Sequence, residues 1–500
     1  MKTSSLISTF LSLFYVLFFP VMVARANPVV PVKCETAPVI DGQLDDPIWK
    51  ETPQLTGFKS YTPDFGHDLP FSTIVHLAYD EEYLYFAFNC SDPEPDKIKA
   101  SVDSRDQIVA DDWICINLDS YNDQQVLTAF YVNPHGIQMD SRFAAGKEDL
   151  SADFVWFSAG QINDSGYAIE LKIPLKTLRF AKAEEVLMGM IFERHISRLA
   201  IGGTWPALDP ELGMSFLNQM FPVSYTGIKP AAILEVIPAL TYIRKRSHRE
   251  GEFALSDNSF NPGLTMKVGI TPQMMLDATV NPDFSQVEAD AGQVDVNLRY
   301  QLYYAEKRLF FQEGAEHYKS GATGSSVLDP LSSMVHTRTI VNPLAGMKLS
   351  GKAGAKNNLS VLYSADRIVD GEGEFTGEFA HVPVLRYKRS LSQDGYAGGV
   401  FTSRYGPDRS NMAGGLDGML RFKNASMLEY HMFGSSTVDQ GDRTDGLAAG
   451  IYFHKGTRNI DYGFSGKYVG EGFMNDVGYI TRTGISYVTG LVKPKIYPGL

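Results

Sequence analysis

The chain has few cysteines and no long apolar segment beyond its N-terminus. It has three cysteines, Cys34, Cys90 and Cys115, and no Cys-x-x-Cys pair, which argues against a zinc ribbon or a dithiol redox site. In an oxidising compartment three cysteines can form one disulfide and leave one thiol, and the sequence does not choose the pair. No apolar run after residue 26 is long enough for a transmembrane helix.

Positive charge and catalytic motifs are also scarce. The formal net charge is -13 and the pI is about 5.3, which argues against a nucleic-acid partner. The sequence has no Gly-x-Ser-x-Gly elbow, no phosphate-binding loop and no His-Glu-x-x-His motif. Acidic residues are abundant, but abundance does not define the spaced carboxylate pair of a glycoside hydrolase. The prediction therefore leans against an enzyme.

The first 26 residues have the pattern of a secretory signal. Lys2 precedes an apolar stretch from Leu6 to Val23, and Ala24-Arg25-Ala26 fits a small-residue cleavage site. Cleavage there would leave 43 basic against 58 acidic residues, a net charge of -15. An uncleaved anchor helix is the alternative. The pattern predicts an exported protein.

Residues 35–222 contain short segments of strand length. Thr73–Tyr79 alternates apolar and polar residues, and Tyr83–Cys90 is almost continuously apolar, as a central strand would be. Asn, Asp, Gly and Pro separate seven or eight such segments. That spacing predicts a β-sandwich.

Three motifs in this region resemble carbohydrate-binding module family 9. They are IDGQLDDPIW at 40–49, DDWICINLD at 111–119 and YAIELKIP at 167–174. The resemblance covers about 180 residues. It implies a sandwich that binds a polysaccharide or an oligosaccharide.

The candidate site residues follow from the chemistry of sugars. Aromatic rings cover the apolar faces of a sugar, and carboxylates or amides take its hydroxyls. Trp113, Trp156 and Tyr121 are the candidates for carbohydrate binding, each with core packing as the alternative. Trp49 is expected in the core.

A short oxygen-rich segment is the only candidate metal site. Asp119, Asn122 and Asp123 could bind Ca²⁺, which prefers such oxygens. The alternative is a simple turn, because Asn and Asp form turns without an ion. No other cofactor is expected.

From about residue 230 to 500 the sequence alternates like the wall of a membrane barrel. Leu416, Gly418, Leu420 and Phe422 oppose Asp417, Met419, Arg421 and Lys423, and several later segments repeat the pattern. In an outer-membrane barrel the apolar positions face lipid and the polar positions face the lumen. A soluble sandwich is the alternative.

The stretch Asn281–Tyr318 supports the barrel by a second resemblance. It is similar to the signature of uncharacterised bacterial outer-membrane proteins in which a family 9 module precedes a β-barrel. That resemblance implies a location in the outer membrane of a Gram-negative-type envelope, in contact with its lipid. The chain ends on Tyr497-Pro498-Gly499-Leu500, a turn rather than a closing strand, so the barrel is expected to be truncated at residue 500.

The sequence therefore predicts an all-β protein of two parts, a family 9-like sandwich at 35–222 and an antiparallel outer-membrane β-barrel from 230. The predicted function is to bind a glycan in the sandwich and to anchor or pass it through the barrel. The alternatives are a secreted protein that hydrolyses O-glycosyl bonds in polysaccharide catabolism, and a structural or adhesive envelope protein.

Overall fold

The computed structural model of the protein consists almost entirely of β-strands, which confirms the all-β prediction. The structure describes residues 27–144, 146–150, 152–213, 215–249, 252–282, 306, 308–324, 329–369, 375–391, 393–422 and 425–496. The predicted signal, residues 497–500 and most of the signature stretch, residues 283–305 and 307, lie outside this set. Cleavage of the signal and truncation at residue 500 stay predictions.

Thirteen strands and one short helix, Ile48–Glu51, form the N-terminal part. The strands are β1 Val32–Lys33, β2 Lys59–Thr62, β3 Thr73–Tyr79, β4 Tyr83–Ser91, β5 Trp113–Asp119, β6 Val126–Val132, β7 Gln138–Ala144, β8 Lys147–Asp149, β9 Phe157–Asn163, β10 Gly166–Pro174, β11 Glu185–Ile196, β12 Ile201–Trp205 and β13 Phe221–Thr226.

These strands form two sheets that pack face to face. The smaller sheet has the order β1-β3-β4-β10-β9, and the larger has the order β2-β12-β11-β5-β6-β7-β8 with β13 beside β11. Alternation sends Ile114, Ile116 and Leu118 of β5 into the core, where they meet Phe86 and Phe88 of β4. The predicted sandwich is confirmed.

The structure explains two of the motifs that carry the family 9 resemblance. Glu170, from the third motif, is buried on β10, and its carboxylate accepts hydrogen bonds from the first motif. Trp49 Nε1 donates to Oε1 at 2.8 Å, while the backbone N–H groups of Asp41 and Gly42 donate to Oε2 at 3.0 and 2.9 Å. These residues join the entry segment to the smaller sheet, so Trp49 has the expected core position.

The second part is one antiparallel sheet of twelve strands in sequence order. Its strands are β14 Leu234–Arg249, β15 Glu252–Thr271, β16 Met274–Val280, β18 Pro343–Lys352, β19 Asn357–Val369, β20 Phe375–Ser390, β21 Tyr396–Tyr405, β22 Arg409–Phe422, β23 Ser426–Asp439, β24 Asp442–Gly456, β25 Ile460–Val469 and β27 Ile485–Pro494. Two short strands, β17 Leu331–Ser333 and β26 Tyr479–Ile480, pair separately, and a short helix spans Leu309–Gln312.

The sheet is apolar on its outer face and charged on its inner face. On β22, Leu416 is 65% exposed, whereas the neighbouring Asp417 is 1% exposed. Outward-facing large apolar side chains recur on neighbouring strands: Met347, Val361, Leu385, Phe401, Met432, Leu447 and Phe464. This arrangement reverses that of a water-soluble domain and is the one expected of a membrane-embedded sheet.

Residues 308–324 and 329–340, here called the plug, fill the space on the inner face. Lys348 of β18 donates to the backbone oxygen of Phe310 at 2.6 Å, and Ala322 N donates to Glu429 of β23 at 2.6 Å. In a flat sheet β18 and β23 would lie roughly 24 Å apart, because neighbouring strands are spaced by about 4.8 Å. Contact with both from one compact segment means that the sheet curls around the plug.

The curled sheet has two edges. β14 and β27 end the strand order, and among the described residues they do not pair with each other. The antiparallel, outward-apolar architecture is confirmed, whereas the expected closed cylinder is not seen in this part of the chain. The part of the chain that the structure describes contains no helix with the length and hydropathy needed to span a membrane.

The three cysteines form no disulfide. Cys34, Cys90 and Cys115 are all buried free thiols on β-strands or beside them. The Cys34 thiol donates to the backbone oxygen of Tyr79 at 3.3 Å. The pairing that the sequence left open therefore does not form.

Candidate functional site

A groove of about 600 Å³ lies on the outer face of the larger sandwich sheet. The same alternation that buries Ile114 and Ile116 turns Trp113 and Asn117 to this face. The register places His195 of β11 opposite Trp113 and Glu193 opposite Cys115, so Glu193 and His195 share the face. Neighbouring strands thus bring residues that are distant in sequence into one site.

Five aromatic side chains line the groove. They are Tyr61, Trp113, Tyr131, Phe143 and Phe216, with Leu127 and Met139 adding apolar surface. Tyr61 and Phe216 pack edge to face with ring centroids 5.8 Å apart. Rings of this kind offer the flat apolar surface on which the CH faces of sugars pack.

Glu193 is the polar centre of the groove. It is buried, and its two carboxylate oxygens accept hydrogen bonds from Tyr61 Oη at 2.7 Å and from Asn117 Nδ2 at 2.6 Å. Burial is the largest influence on its pKa and raises it above the ordinary value of a glutamate. The carboxyl fixes the positions of Tyr61 and Asn117.

Trp113, predicted as a sugar platform, lies in the groove but is partly covered. Its ring stacks on His195 at 5.0 Å with an interplanar angle of 19°, and it meets Tyr131 edge to face at 5.2 Å. Burial lowers the pKa of His195, which keeps its imidazole neutral beside the indole. The three rings form one wall of the groove.

Trp156, the second predicted platform, lies in the core rather than in the groove. It is 3% exposed, packs edge to face on Phe130 at 5.2 Å, and donates from Nε1 to Asp140 Oδ2 at 3.3 Å. In this position it cannot offer a face to a sugar. Trp156 stands in the continuous apolar run Phe154–Phe157, and its burial depends on packing between the sheets.

Tyr121 and the oxygen-rich segment lie at the turn between β5 and β6, against the second sheet. The Lys352 ammonium lies 4.0 Å from the centre of the Tyr121 ring and forms an ion pair with Asp123. A cavity of about 140 Å³ separates the two parts here. The structure therefore does not bring Tyr121 together with Trp113.

The Asp119 carboxylate is used by the turn itself. Its oxygens accept hydrogen bonds from the backbone N–H groups of Tyr121 at 3.1 Å and Gln124 at 2.7 Å, while Asn122 has a positive φ of 49°. Burial, with the charge of Asp123 second, raises the pKa of Asp119 to about 7. Among the described residues no three acidic, histidine or cysteine side chains are grouped to hold a metal ion. Calcium binding stays a prediction.

Sequence reasoning missed Tyr61, Asn117, Tyr131, Glu193 and Phe216. Asn117 could have been found, because it alternates in phase with Trp113 on one strand. Glu193 belongs to no metal or catalytic motif, so nothing local in the sequence distinguishes it. Tyr61 is brought in by the strand order of the larger sheet and Phe216 by the 3-10 turn Phe216–Asn218 before β13, and the sequence has no local signal for either.

Two family models match separate parts of the chain. Residues 40–197 match the carbohydrate family 9 binding domain-like family, and residues 230–323 match a domain of unknown function, DUF5916. The N-terminal part is a family 9-like domain. Both matches agree with the resemblances found in the sequence, and no curated protein matches the chain.

Solved structures are similar to each part at low identity. A family 9 carbohydrate-binding module from Caldicellulosiruptor kristjanssonii in complex with cellotriose is 17% identical, covering 41% of this chain and 95% of its own at a TM-score of 0.30. A putative carbohydrate-binding protein from Bacteroides uniformis is 12% identical, covering 40% and 98% at 0.33. The outer membrane channel DcaP of Acinetobacter baumannii is 9% identical, covering 88% and 99% at 0.27.

Proposed function

We propose that this protein binds a glycan in the groove of its sandwich and is anchored in the outer membrane by its curled sheet. The observation that carries the proposal is the aromatic groove organised around Glu193. It combines apolar ring surface with hydrogen-bonding groups, the two features that a sugar requires. The family 9-like region supports the same function.

The charge of the groove indicates the kind of sugar. Its described lining residues include Glu148 and Glu193 and no lysine or arginine. Acidic sugars would meet no counter-charge on these residues, and Glu193 would repel them in its ionised form. Uncharged sugars are therefore the expected ligands.

The second sheet supports a location in lipid. Its outward side chains are apolar, and its inner face holds ion pairs such as Lys348–Asp277, at 3.2 Å, and Lys467–Asp329, at 2.8 Å. Exposed apolar area on this scale would be costly in water, and lipid covers it.

The plug favours anchoring over transport. Its backbone and side chains occupy the space on the inner face, where Gly321 N donates to Asp417 Oδ2 at 2.9 Å and Ser360 Oγ donates to Tyr318 Oη at 2.7 Å. A glycan could pass only if these contacts were broken. We therefore propose that the sheet holds the sandwich at the membrane and does not conduct its ligand.

Binding of cello-oligosaccharides and other uncharged oligosaccharides to the purified full chain, measured by calorimetry in detergent, tests the groove. Tyr61→Ala and Trp113→Ala should each weaken binding by tenfold or more, because each removes an aromatic surface. Phe157→Ala is the matched control, since Phe157 is an exposed aromatic residue on β9 of the other sheet. Unchanged affinity in both groove variants would overturn the site. Release of reducing sugar in the same incubations would instead indicate the hydrolase.

Fractionation of cells tests the anchor. The protein should sediment with the outer membrane, and its migration on a gel in SDS should change on boiling, as for membrane β-structures that resist SDS. Recovery in the soluble fraction would refute the proposed location.

A further inference from the structure

The sandwich sits at one end of the curled sheet, here called the near rim. The described residues of this rim lie in five connections, 272–273, 353–356, 391 with 393–395, 425 and 457–459. Asp123 forms an ion pair with Lys352 beside the second connection, Gln125 Nε2 donates to Gly395 O at 3.3 Å, and Arg458 Nε donates to Asp64 Oδ1 at 2.9 Å. Three separate connections of one rim thus contact the sandwich.

The opposite end, the far rim, has a different character. It carries the two long connections, whose described parts are residues 281–282, 306, the plug, 341–342 and 470–484 with β26. Its other described connections, 406–408 and 440–441, are short. The hairpin of β14 and β15 also extends furthest there, because residues 252–263 of β15 run beyond the pairing with β16. All five connections of the near rim are two to five residues long, so the two rims differ by the two long connections.

Outer-membrane β-structures have short turns on the periplasmic side and longer loops outside. We infer that the near rim, and with it the sandwich, faces the periplasm. This inference rests on the proposed function for the membrane and the groove. It goes beyond that function by assigning the side of the membrane on which the sandwich lies. That side determines which glycan the groove would meet.

The groove is open to that compartment. Every described residue that lines it lies between Tyr61 and Phe216, so the described part of the second sheet does not contribute to its lining. The polymeric glycan of the periplasm is the cell wall, a chain of N-acetylated amino sugars. Its rings have apolar faces and uncharged acetamido groups, and its carboxylates are on peptide stems that branch away from the sugar chain. The sugar chain itself therefore suits an aromatic groove without lysine or arginine among its described lining residues. The inferred partner is this glycan, and the protein would link outer membrane to cell wall.

Cysteine labelling with a membrane-impermeant maleimide tests the orientation. The native cysteines are buried, so they should react little with the maleimide in the folded protein. Val102→Cys marks the sandwich, where Val102 is 82% exposed, and Asp442→Cys marks an exposed position at the far rim. On intact cells Asp442→Cys should react, and Val102→Cys should react only after the outer membrane is permeabilised.

The opposite outcomes separate the two proposals. If Val102→Cys reacted as strongly on intact cells as on permeabilised cells, the periplasmic orientation would be wrong. The proposed glycan groove would not be affected by that result. Labelling of neither variant on intact cells would overturn the membrane-spanning arrangement itself, and the proposed function with it.

Co-sedimentation with purified cell-wall sacculi tests the partner. The full chain in detergent should pellet with the sacculi, Tyr61→Ala and Trp113→Ala should lose most of this binding, and Phe157→Ala should retain it. Binding to uncharged oligosaccharides without retention on sacculi would refute the cell-wall partner alone. Loss of both would refute the groove.

Discussion

At the residue scale, buried ionisable side chains hold different kinds of partner in the two parts of the protein. In the sandwich, Asp119 and Glu193 accept hydrogen bonds from neutral donors, so burial raises the pKa of each. On the inner face of the second sheet, Arg386 binds Asp417 through both carboxylate oxygens, with Nη2 at 2.7 Å from Oδ2. The free energy of unfolding of the sandwich should therefore depend on pH through Asp119 and Glu193. The stability of the second sheet should depend on the presence of both members of the Arg386–Asp417 ion pair.

Replacing Asp119 with Asn should change how the stability of the sandwich depends on pH. The folded pKa is about 7 and the unfolded value is about 3.9, so between these values the native state retains a proton that the unfolded state loses. Raising the pH through this window therefore destabilises the wild type relative to Asp119→Asn, by up to about 1.4 kcal/mol per pH unit. Urea unfolding followed by tryptophan fluorescence measures this, because Trp49, Trp113, Trp156 and Trp205 all lie in the sandwich.

The variant also loses an acceptor for a backbone N–H, which gives an offset that does not depend on pH. The test is the slope and not the offset. Parallel pH profiles for the two proteins between pH 4 and 7 would show that Asp119 titrates normally.

Lys388 and Arg386 allow a test of how ion pairing affects the stability of the second sheet. Both lie on β20, but they have different partners. The Lys388 ammonium lies 4.7 Å from the centre of the Tyr396 ring and 3.5 Å from Glu316 O, and among the described residues it forms no ion pair. Lys388→Met should cost little or should stabilise the sheet, because it removes a buried charge. Arg386→Met should cost about 3–5 kcal/mol, since it leaves Asp417 buried and unpaired.

The temperature at which the SDS-resistant form of the full chain is lost would compare the two variants. Arg386→Met should lose it at a lower temperature than the wild type, and Lys388→Met should not. An equal drop in both would contradict the difference in pairing.

At the scale of elements, the alternation of single strands was readable from the sequence. Leu416 and Asp417 point to opposite faces, as predicted, because the side-chain period of a strand is two. The groove was only partly readable. Trp113 and Trp156 were both predicted as sugar platforms, yet Trp113 lines the groove and Trp156 is in the core, because packing between the sheets covers Trp156.

An arginine on the outer face of the second sheet should disturb assembly according to its depth. Leu416→Arg, at the middle of β22, should cost about 2–4 kcal/mol if this face lies in lipid. Tyr405→Arg is the control, because Tyr405 is also exposed on the outer face but ends β21, where the cost should be about 0–1 kcal/mol. The yield of heat-modifiable protein in the outer membrane measures both, and equal yields would argue that the face is not embedded.

At the scale of the whole molecule, a few polar contacts join the sandwich to the curled sheet. The Lys352–Asp123 pair is largely buried, with side chains 8% and 17% exposed, and Lys352 also lies over the Tyr121 ring. In the Arg458–Asp64 pair the arginine side chain is 52% exposed, whereas the aspartate side chain is only 11% exposed. Arg142 and Arg179 of the sandwich bind Glu316 and Glu313 of the plug. The sandwich therefore contacts both the rim and the interior of the sheet.

The two rim pairs should contribute unequally to this docking. Lys352→Met leaves Asp123 without its cation in a mostly buried position and should cost several kcal/mol, approaching the roughly 3–5 kcal/mol of a fully buried pair. Arg458→Ala should cost less, because water screens the half-exposed guanidinium and Asp64 keeps its hydrogen bond from Phe65 N. Hydrogen exchange of the full chain would report this as faster deuterium uptake in residues 120–125 for Lys352→Met and little change there for Arg458→Ala. Lys33→Ala, which breaks the exposed pair with Glu81 away from the rim, is the control. Equal protection of residues 120–125 in the wild type and in Lys352→Met would mean that packing around the cavity, and not this ion pair, holds the two parts together.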